Sequence, residues 1–527
     1  MHITLICADE DSWAIGLRSI SASLRRAGHS TRIVLAGGPA AAPDPQTLAE
    51  LRGLAASSGL IGVSSMSRSS RRAKSLIEAL RPLGRPIVWG GMHPTLYPED
   101  CVGHADLICR GEGEDFMIDL AGRLSRGEGF LDIPNGGYRR DGRTVLNDVR
   151  PLLADLDGLP FVDFSFDGEF RVDSRGRVRP NGAMKEERSI LFTGSRGCAF
   201  SCHYCSNDRL KTIYEGKGRY VRKMSVRAFV AAAKRCRDLF PRARYIYFTD
   251  EDFLARPLGE FREFAAIYPG EVGLPFECMA SPQQISDEKM ALLVKAGLWR
   301  VDVGVESGSD RIKKEIFNRQ GSNDVVLRAA SVIGRYPGVV AYYFFIIGNP
   351  YEGRDDLLGT VDLIGRLPAP AFIRTYNLVF IPGTKLFDRA CRDGIISGLA
   401  DSGFEIDFLS GFDYRGQAWK RNNLYLNGLV SLMTGKATRR RIGFVPRQLL
   451  PLLLSPSWLD LNDRHPLLSK ALIGLSRGGL KLRRRGLLLV SKVLKDPRSA
   501  YNVRALAGKP AGPAGPPPAP PGPEAGA

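Results

Sequence analysis

The sequence predicts an α/β protein made of two successive runs of strand and helix, followed by a mainly helical C-terminal region. Three observations carry this. Short apolar runs alternate with amphipathic stretches from His2 onward, the alternation changes scale after Arg188, and it is lost after about Cys391.

In the first run, HITLIC is a buried strand, GLRSISASLRRAG has helical spacing and stops at Gly28, and TRIVLAG is the next strand. LIGVSS, PIVWGG and ADLICRG continue the series, with helical segments such as SRRAKSLIEALRPLG between them. This pattern builds a parallel sheet covered on both faces, of Rossmann or flavodoxin-like type, over residues 1–135. Such sheets bind ligands at the carboxyl ends of their strands, here the loops around Ala8 to Gly16, Ser64 to Ser67, Gly90 to His93 and Gly111 to Glu114. Gly90, Gly91, Gly111 and Gly113 would let the backbone approach a bulky ligand, with His93 beside them. Residues 136–185 read as a connector, with a hairpin at Asp141-Gly142.

The second run, residues 186–395, opens with SILFTGSRG, followed by RYIYFTDEDF, GLPFECMAS, WRVDVGVESGS, VAYYFFIIGNP and FIRTYNLVFIPGT, six βα units in all. The loop after its first strand carries GCAFSCHYCSN, with Cys198, Cys202 and Cys205 in C-x3-C-x2-C spacing and Tyr204 before the last. Three thiolates on one loop can hold an iron-sulfur cluster and leave one iron without a protein ligand, and an incomplete ligand set is an open site. Zinc with His203 as fourth ligand, or three unrelated thiols, is the plainer reading. Zinc sites usually add a second ligand pair downstream, and none lies near this loop. Asp250, Glu251 and Asp252 end the second strand, Glu306 and Ser307 the fourth, and Gly348 and Pro350 follow the fifth.

Nine cysteines in 527 residues are too few for a disulfide scaffold, which fits a reducing cytoplasm. No signal peptide and no apolar run near the roughly 18 residues of a membrane span is expected. The net charge of +18 comes largely from residues 396–505, a capping or substrate region whose leucine-rich, basic stretch from Arg439 to Lys495 includes Arg483, Arg484 and Arg485. A basic, apolar helix can lie on an anionic membrane, or form a solvated basic cap. Sparse aromatic residues there argue against nucleic acid. Residues 506–527 are a Pro/Gly/Ala tail without the means to bury a core.

The cysteine spacing resembles the radical S-adenosylmethionine (SAM) superfamily, and WGGMHPTLYPED with GHADLICRGEGED resembles the cobalamin-binding domain that precedes it in one large subgroup. The resemblance implies a partial (β/α)6 barrel, a [4Fe-4S] cluster on the three cysteines, SAM contacts from Tyr204, Asp250, Glu251, Glu306 and Ser307, and cobalamin at the glycine loops. Cobalamin domains with a histidine below the cobalt carry D-x-H-x-x-G, whereas ADEDSWAIG has no histidine, so the resemblance implies cobalamin without that ligand. It implies further a methyltransferase acting on an unactivated carbon through methylcobalamin and a 5′-deoxyadenosyl radical, a small-molecule substrate, lipid or isoprenoid-derived if the basic stretch meets membrane, and a flavodoxin or ferredoxin as electron donor. A cobalamin-binding radical SAM cyclase and a non-catalytic zinc or cofactor-binding regulator are the alternatives. Relatives often carry an arginine after the third strand, where this chain has ECMASPQQ.

Overall fold

The computed structural model describes residues 1–38, 42–403 and 423–464. The expected tail, Arg483 to Arg485 and the stretch onward to Lys495 lie outside the described residues. The chain packs as two compact units. The first gathers Met1–Lys185, Ser195–Ser225 and a segment from Val379; the second gathers Glu186–Gly194, Val226–Leu378 and the C-terminal residues.

The first unit is built on β1 (His2–Cys7), β2 (Ser30–Leu35), β3 (Leu60–Ser64), β4 (Ile87–Gly90) and β5 (Leu107–Cys109), all parallel, in the order β2-β1-β3-β4-β5. This is the flavodoxin-like order, with its switch point between β1 and β3. Helices α1 (Ile15–Arg26), α2 (Pro45–Ala55), α3 (Ser70–Leu80), α4 (Met92–Leu96) and α5 (Glu114–Arg126) follow the successive strands. Alternate strand residues feed two cores: Leu5, Leu60 and Phe116 on one face, Ile6, Val63 and Trp89 on the other. Gly28, at φ +87°, ends α1 as expected.

The segment read as a plain connector is instead part of this sheet, and that reading is corrected. The hairpin of β6 (Gly136–Arg140) and β7 (Arg143–Leu146) adds antiparallel to β5, with Asp141 and Gly142 at its turn. At the opposite edge β8 (Phe170–Val172) pairs with β2 and β9 (Val178–Pro180) with β8. A buried ion pair fixes this extension: Arg18 of α1 meets Glu169 at 2.7 Å on both arms, donates to the Asp163 carbonyl at 2.8 Å and stacks on Phe164.

In the second unit, β10 (Ser189–Phe192) precedes a ribbon of β11 (Ser195–Arg196) and β12 (Arg222–Lys223), which itself belongs to the first unit with α6 (Ser206–Ile213). The second sheet then continues through β13 (Tyr245–Phe248), β14 (Phe276–Ala280), β15 (Leu298–Glu306), β16 (Val340–Ile347) and β17 (Ala371–Asn377). With β10 these make six parallel strands in sequential order, the partial (β/α)6 arrangement. Phe192, Phe229, Phe248, Phe253, Phe264 and Phe276 interlock on its helix-covered face. Beyond β17, three short antiparallel strands at Gly435–Ala437, Arg441–Ile442 and Val445–Pro446 extend the sheet, an addition to the expected helical region, which is represented by Leu424–Leu432 and Pro456–Arg464.

Candidate active site

The cysteine loop is closed at its base by the β11–β12 ribbon, in which Arg196 pairs with Arg222. Cys202 is buried, and Cys198 and Cys205 are half-buried. Lys211 of α6 clamps the loop, its ammonium donating to the carbonyls of Ala199 and Phe200 and to Ser201 Oγ at 2.8–3.0 Å. Cys205 directly precedes α6, its amide bonded to the Cys202 carbonyl and its sulfur accepting from the Asn207 amide at 3.6 Å. Tyr220 donates to Asn207 in turn. Tyr204, beside Cys205, is half-buried.

Within the same unit, the loop between β5 and α5 grips that base. Glu112 meets Arg222 at 2.8 Å and Arg196 at 3.1 Å, and its second oxygen accepts from the Leu153 amide. Glu114 meets Arg196 at 2.5 Å and accepts from Ser19 at 2.6 Å. Burial raises the Glu114 carboxyl, but the Arg196 charge and the two donors outweigh it and hold the group below the usual glutamate range. The Tyr214 hydroxyl accepts from the Glu112 amide at 2.8 Å. None of Glu112, Glu114, Arg196 and Arg222 stands out in the sequence, because their partners are remote along the chain.

At the carboxyl edge of the first sheet, Gly90, Gly91 and Gly111 are half-exposed, and Met66, just past β3, is 47% exposed. Gly91 is at φ +100°, and a Cβ there would lie 2.7 Å from the Ser65 carbonyl. Gly111 is at φ +85°, and its Cβ would collide with the Tyr214 hydroxyl. These two glycines are therefore required by protein neighbours as well as by backbone conformation. Gly113 is buried against Ile20. His93 is fully buried, with Nδ1 on Ser67 at 3.1 Å and Nε2 on Asp100 at 2.9 Å, so its ring braces the loop. His93, Asp100 and Cys101 bring ligand atoms within 4.8 Å of one another, but Lys74 already meets Asp100 at 2.8 Å. Trp13, two residues after Asp11, is buried edge-on against Phe164.

In the second unit, the acids at the end of β13 separate. Asp250 is buried, accepting from the Gly194 amide at 3.2 Å with Arg256 at 3.7 Å, while Glu251 is exposed. Asp252 is the perturbed one, pushed up to about 6 by burial despite hydrogen bonds from Ser281. Glu306 ends β15 at φ +72°, after a register shift beyond Gly304, and lies 3.6 Å from Arg319, which donates to the Gly304 carbonyl at 2.6 Å. A glutamate in the left-handed region costs about 1–3 kcal/mol and is held by its surroundings. Ser307 is fully buried, donating to Glu352 at 3.2 Å. Burial pushes Glu352 up to about 8, and its second oxygen has no hydrogen-bond partner. Below Glu306 on the same strand, Arg300 pairs with Glu277 and Asp302 and covers the Tyr342 ring at 4.0 Å. Arg319 and Glu352 escaped sequence reasoning; an arginine shortly after the strand-end acid and a glutamate inside the glycine-proline turn were the available signals.

Two family profiles match in chain order: the B12 binding domain over residues 1–121 and the radical SAM superfamily over residues 192–364. The chain belongs to the cobalamin-binding radical SAM family. An uncharacterized methyltransferase of Pyrococcus horikoshii is 27% identical to this family member over 59% of the chain and 64% of its own length. Cytidylyl-2-hydroxyethylphosphonate methyltransferase of Streptomyces wedmorensis is 25% identical over 50% and 52%. The chain thus spans less than two thirds of the length of these curated relatives. Among solved structures, the radical SAM methyltransferase TsrM of Kitasatospora setae superposes with a TM-score of 0.58 at 16% identity over 74% of this chain and 76% of that one. The cobalamin-dependent SAM radical enzyme OxsB superposes with 0.57 at 18% over 75% and 55%. These likenesses establish the fold of the cobalamin-binding radical SAM family for this chain.

Proposed function

We propose that this chain is a cobalamin-dependent radical SAM methyltransferase acting on an unactivated carbon. One observation carries the reading: the three-thiol loop is anchored through Arg196 and Arg222 to Glu112, inside the glycine loop of the B12 binding domain. The residues fit the groups. Three thiols on one braced loop suit a [4Fe-4S] cluster with an open iron. The half-exposed edge at Met66, Gly90, Gly91 and Gly111 suits a flat corrin. When bound, the cluster supplies the electron that cleaves SAM and cobalamin carries the methyl group.

The chain's own part is binding and exclusion of water. Cys198, Cys202 and Cys205 would hold iron; Lys211 and Asn207 fix the loop and the Cys205 sulfur. Glu306 and Asp252 would meet a cationic part of SAM, and Arg319, beside Glu306, would take its carboxylate. The substrate is a small molecule, and an external one-electron donor reduces the cluster. Anaerobic incubation with SAM, dithionite and candidate substrates tests the reading: a product heavier by one methyl group is expected. A ring-closed product without methyl gain would favour the cyclase, and an iron-free zinc protein would overturn it.

A second reading concerns location. Among the described residues no helix is long and apolar enough to cross a membrane. Leu449, Leu452 and Leu461 are nonetheless exposed, close in sequence to exposed Arg439, Arg440 and Arg441. Exposed leucines with nearby cations fit peripheral contact with an anionic bilayer, where a lipid or isoprenoid-derived substrate would be found.

A further inference from the structure

We propose that Glu112 is a positioning residue that couples the corrin loop to the cysteine loop, so that filling one cofactor site tunes the other; this rests on the cofactor reading above. Glu112 lies between Gly111 and Gly113, in the loop assigned to the corrin. Its carboxylate holds both strands of the ribbon that closes the cysteine loop: Arg196, two residues before Cys198, and Arg222, its partner in register. Its amide is held by Tyr214, which follows the helix that Cys205 opens. One residue thus grips the cysteine segment at its entrance, its exit and the end of its helix.

The Arg222 side of the grip is also buried. Arg222 is 6% exposed and Glu112 17%, so separating them strands a guanidinium away from water. A ligand that shifts the Gly111–Gly113 backbone must carry the carboxylate, and Arg222 follows it because little solvent stands ready to replace it, while Arg196, 27% exposed, is tied to the same loop a second time through Glu114. On the other side of Gly111, the Tyr214 hydroxyl fills the place of a side chain, leaving the loop little room to move alone. Coupling of this kind is reciprocal: whatever cobalamin does to the cluster, the cluster does to cobalamin affinity.

The test titrates cobalamin anaerobically into the full chain with and without reconstituted cluster, following the corrin absorbance, with iron assayed separately. Cluster-loaded protein should bind cobalamin about fivefold or more tightly than cluster-free protein. The resonance spectrum of the reduced cluster should shift when cobalamin is added. In Glu112→Gln the affinity ratio should fall to one at wild-type iron content, and in Glu112→Asp, which keeps the charge, most of it should return. Should Glu112→Gln fail to fold, Tyr214→Phe, which removes only the hydroxyl on the Glu112 amide, should lower the ratio instead. A wild-type ratio of one, or an undiminished ratio in the variant, overturns the coupling while leaving the cofactor reading intact. Wild-type protein that takes up neither iron nor cobalamin overturns both.

Discussion

Arg18 and Glu169 form a two-armed ion pair at 2.7 Å, with side chains 0% and 3% exposed. Removing one partner leaves the other charge buried without compensation. Arg18→Met should therefore destabilise the first unit by about 3–5 kcal/mol, and Arg18→Met with Glu169→Gln should recover part of that loss. Chemical denaturation of the single and double variants checks it; equal losses in both would mean that the pair's charge is not what matters.

Each of Cys198→Ala, Cys202→Ala and Cys205→Ala should lower bound iron and abolish reductive SAM cleavage, since the proposed function places the cluster on the three free thiols of this loop. Iron analysis and release of 5′-deoxyadenosine are the readouts. Full iron and full cleavage in all three variants would remove the cluster from this loop.

Bound Co(II) cobalamin should give a resonance spectrum without nitrogen splitting from a protein imidazole. Trp13 packs into the core in the loop after β1, and His93 has both ring nitrogens engaged. Histidine splitting that disappears in His93→Ala would contradict this.

Stability should fall as pH rises through the neutral range, in part because of Glu352. Its folded pKa stands near 8, raised by burial above the ordinary glutamate value. Between those values the folded state holds a proton that the unfolded chain has released, so each pH unit costs about 1.4 kcal/mol at most. Glu352→Gln, which can keep the Ser307 contact, should flatten this dependence and leave the variant more stable than wild type above pH 8. Parallel slopes from pH 5 to 9 would contradict a buried neutral carboxyl.

Full-length protein should float with anionic liposomes at low salt and sink as ionic strength rises, because screening weakens the attraction of its cations. Leu452→Glu, at 59% exposure, should reduce flotation with little effect on folding. Protein that stays at the bottom at low salt would leave the basic stretch as a solvated surface.

The strands that build both sheets were legible because their apolar periodicity is local, and the hairpin at Asp141-Gly142 because its turn chemistry is. Strands β8 and β9 were hidden: they are three residues each, and pair at an edge where Arg171 and Arg179 face water. The cysteine loop was legible from spacing alone, whereas Glu112 and Glu114 read simply as acids in a glycine-rich loop until Arg196 and Arg222 arrive from far along the chain. The acidic run Asp250 to Asp252 shows the limit of motif reading, since only the fold decides that Asp250 is buried on the Gly194 amide, Glu251 faces solvent and Asp252 has a raised pKa.

The interlock of Gly111 with Tyr214 bears on how this protein can be recombined with its relatives. A chimera that exchanges only residues 1–135 would confront a foreign loop with the native Tyr214, Arg196 and Arg222, and a larger residue at position 111 would have nowhere to go. The natural unit of exchange is discontinuous: the first sheet travels with Ser195–Ser225, so Cys198, Cys202 and Cys205 are inherited together with the Gly111–Gly113 loop. Shuffling boundaries drawn along the linear sequence would sever the two; boundaries drawn around this unit would keep them together.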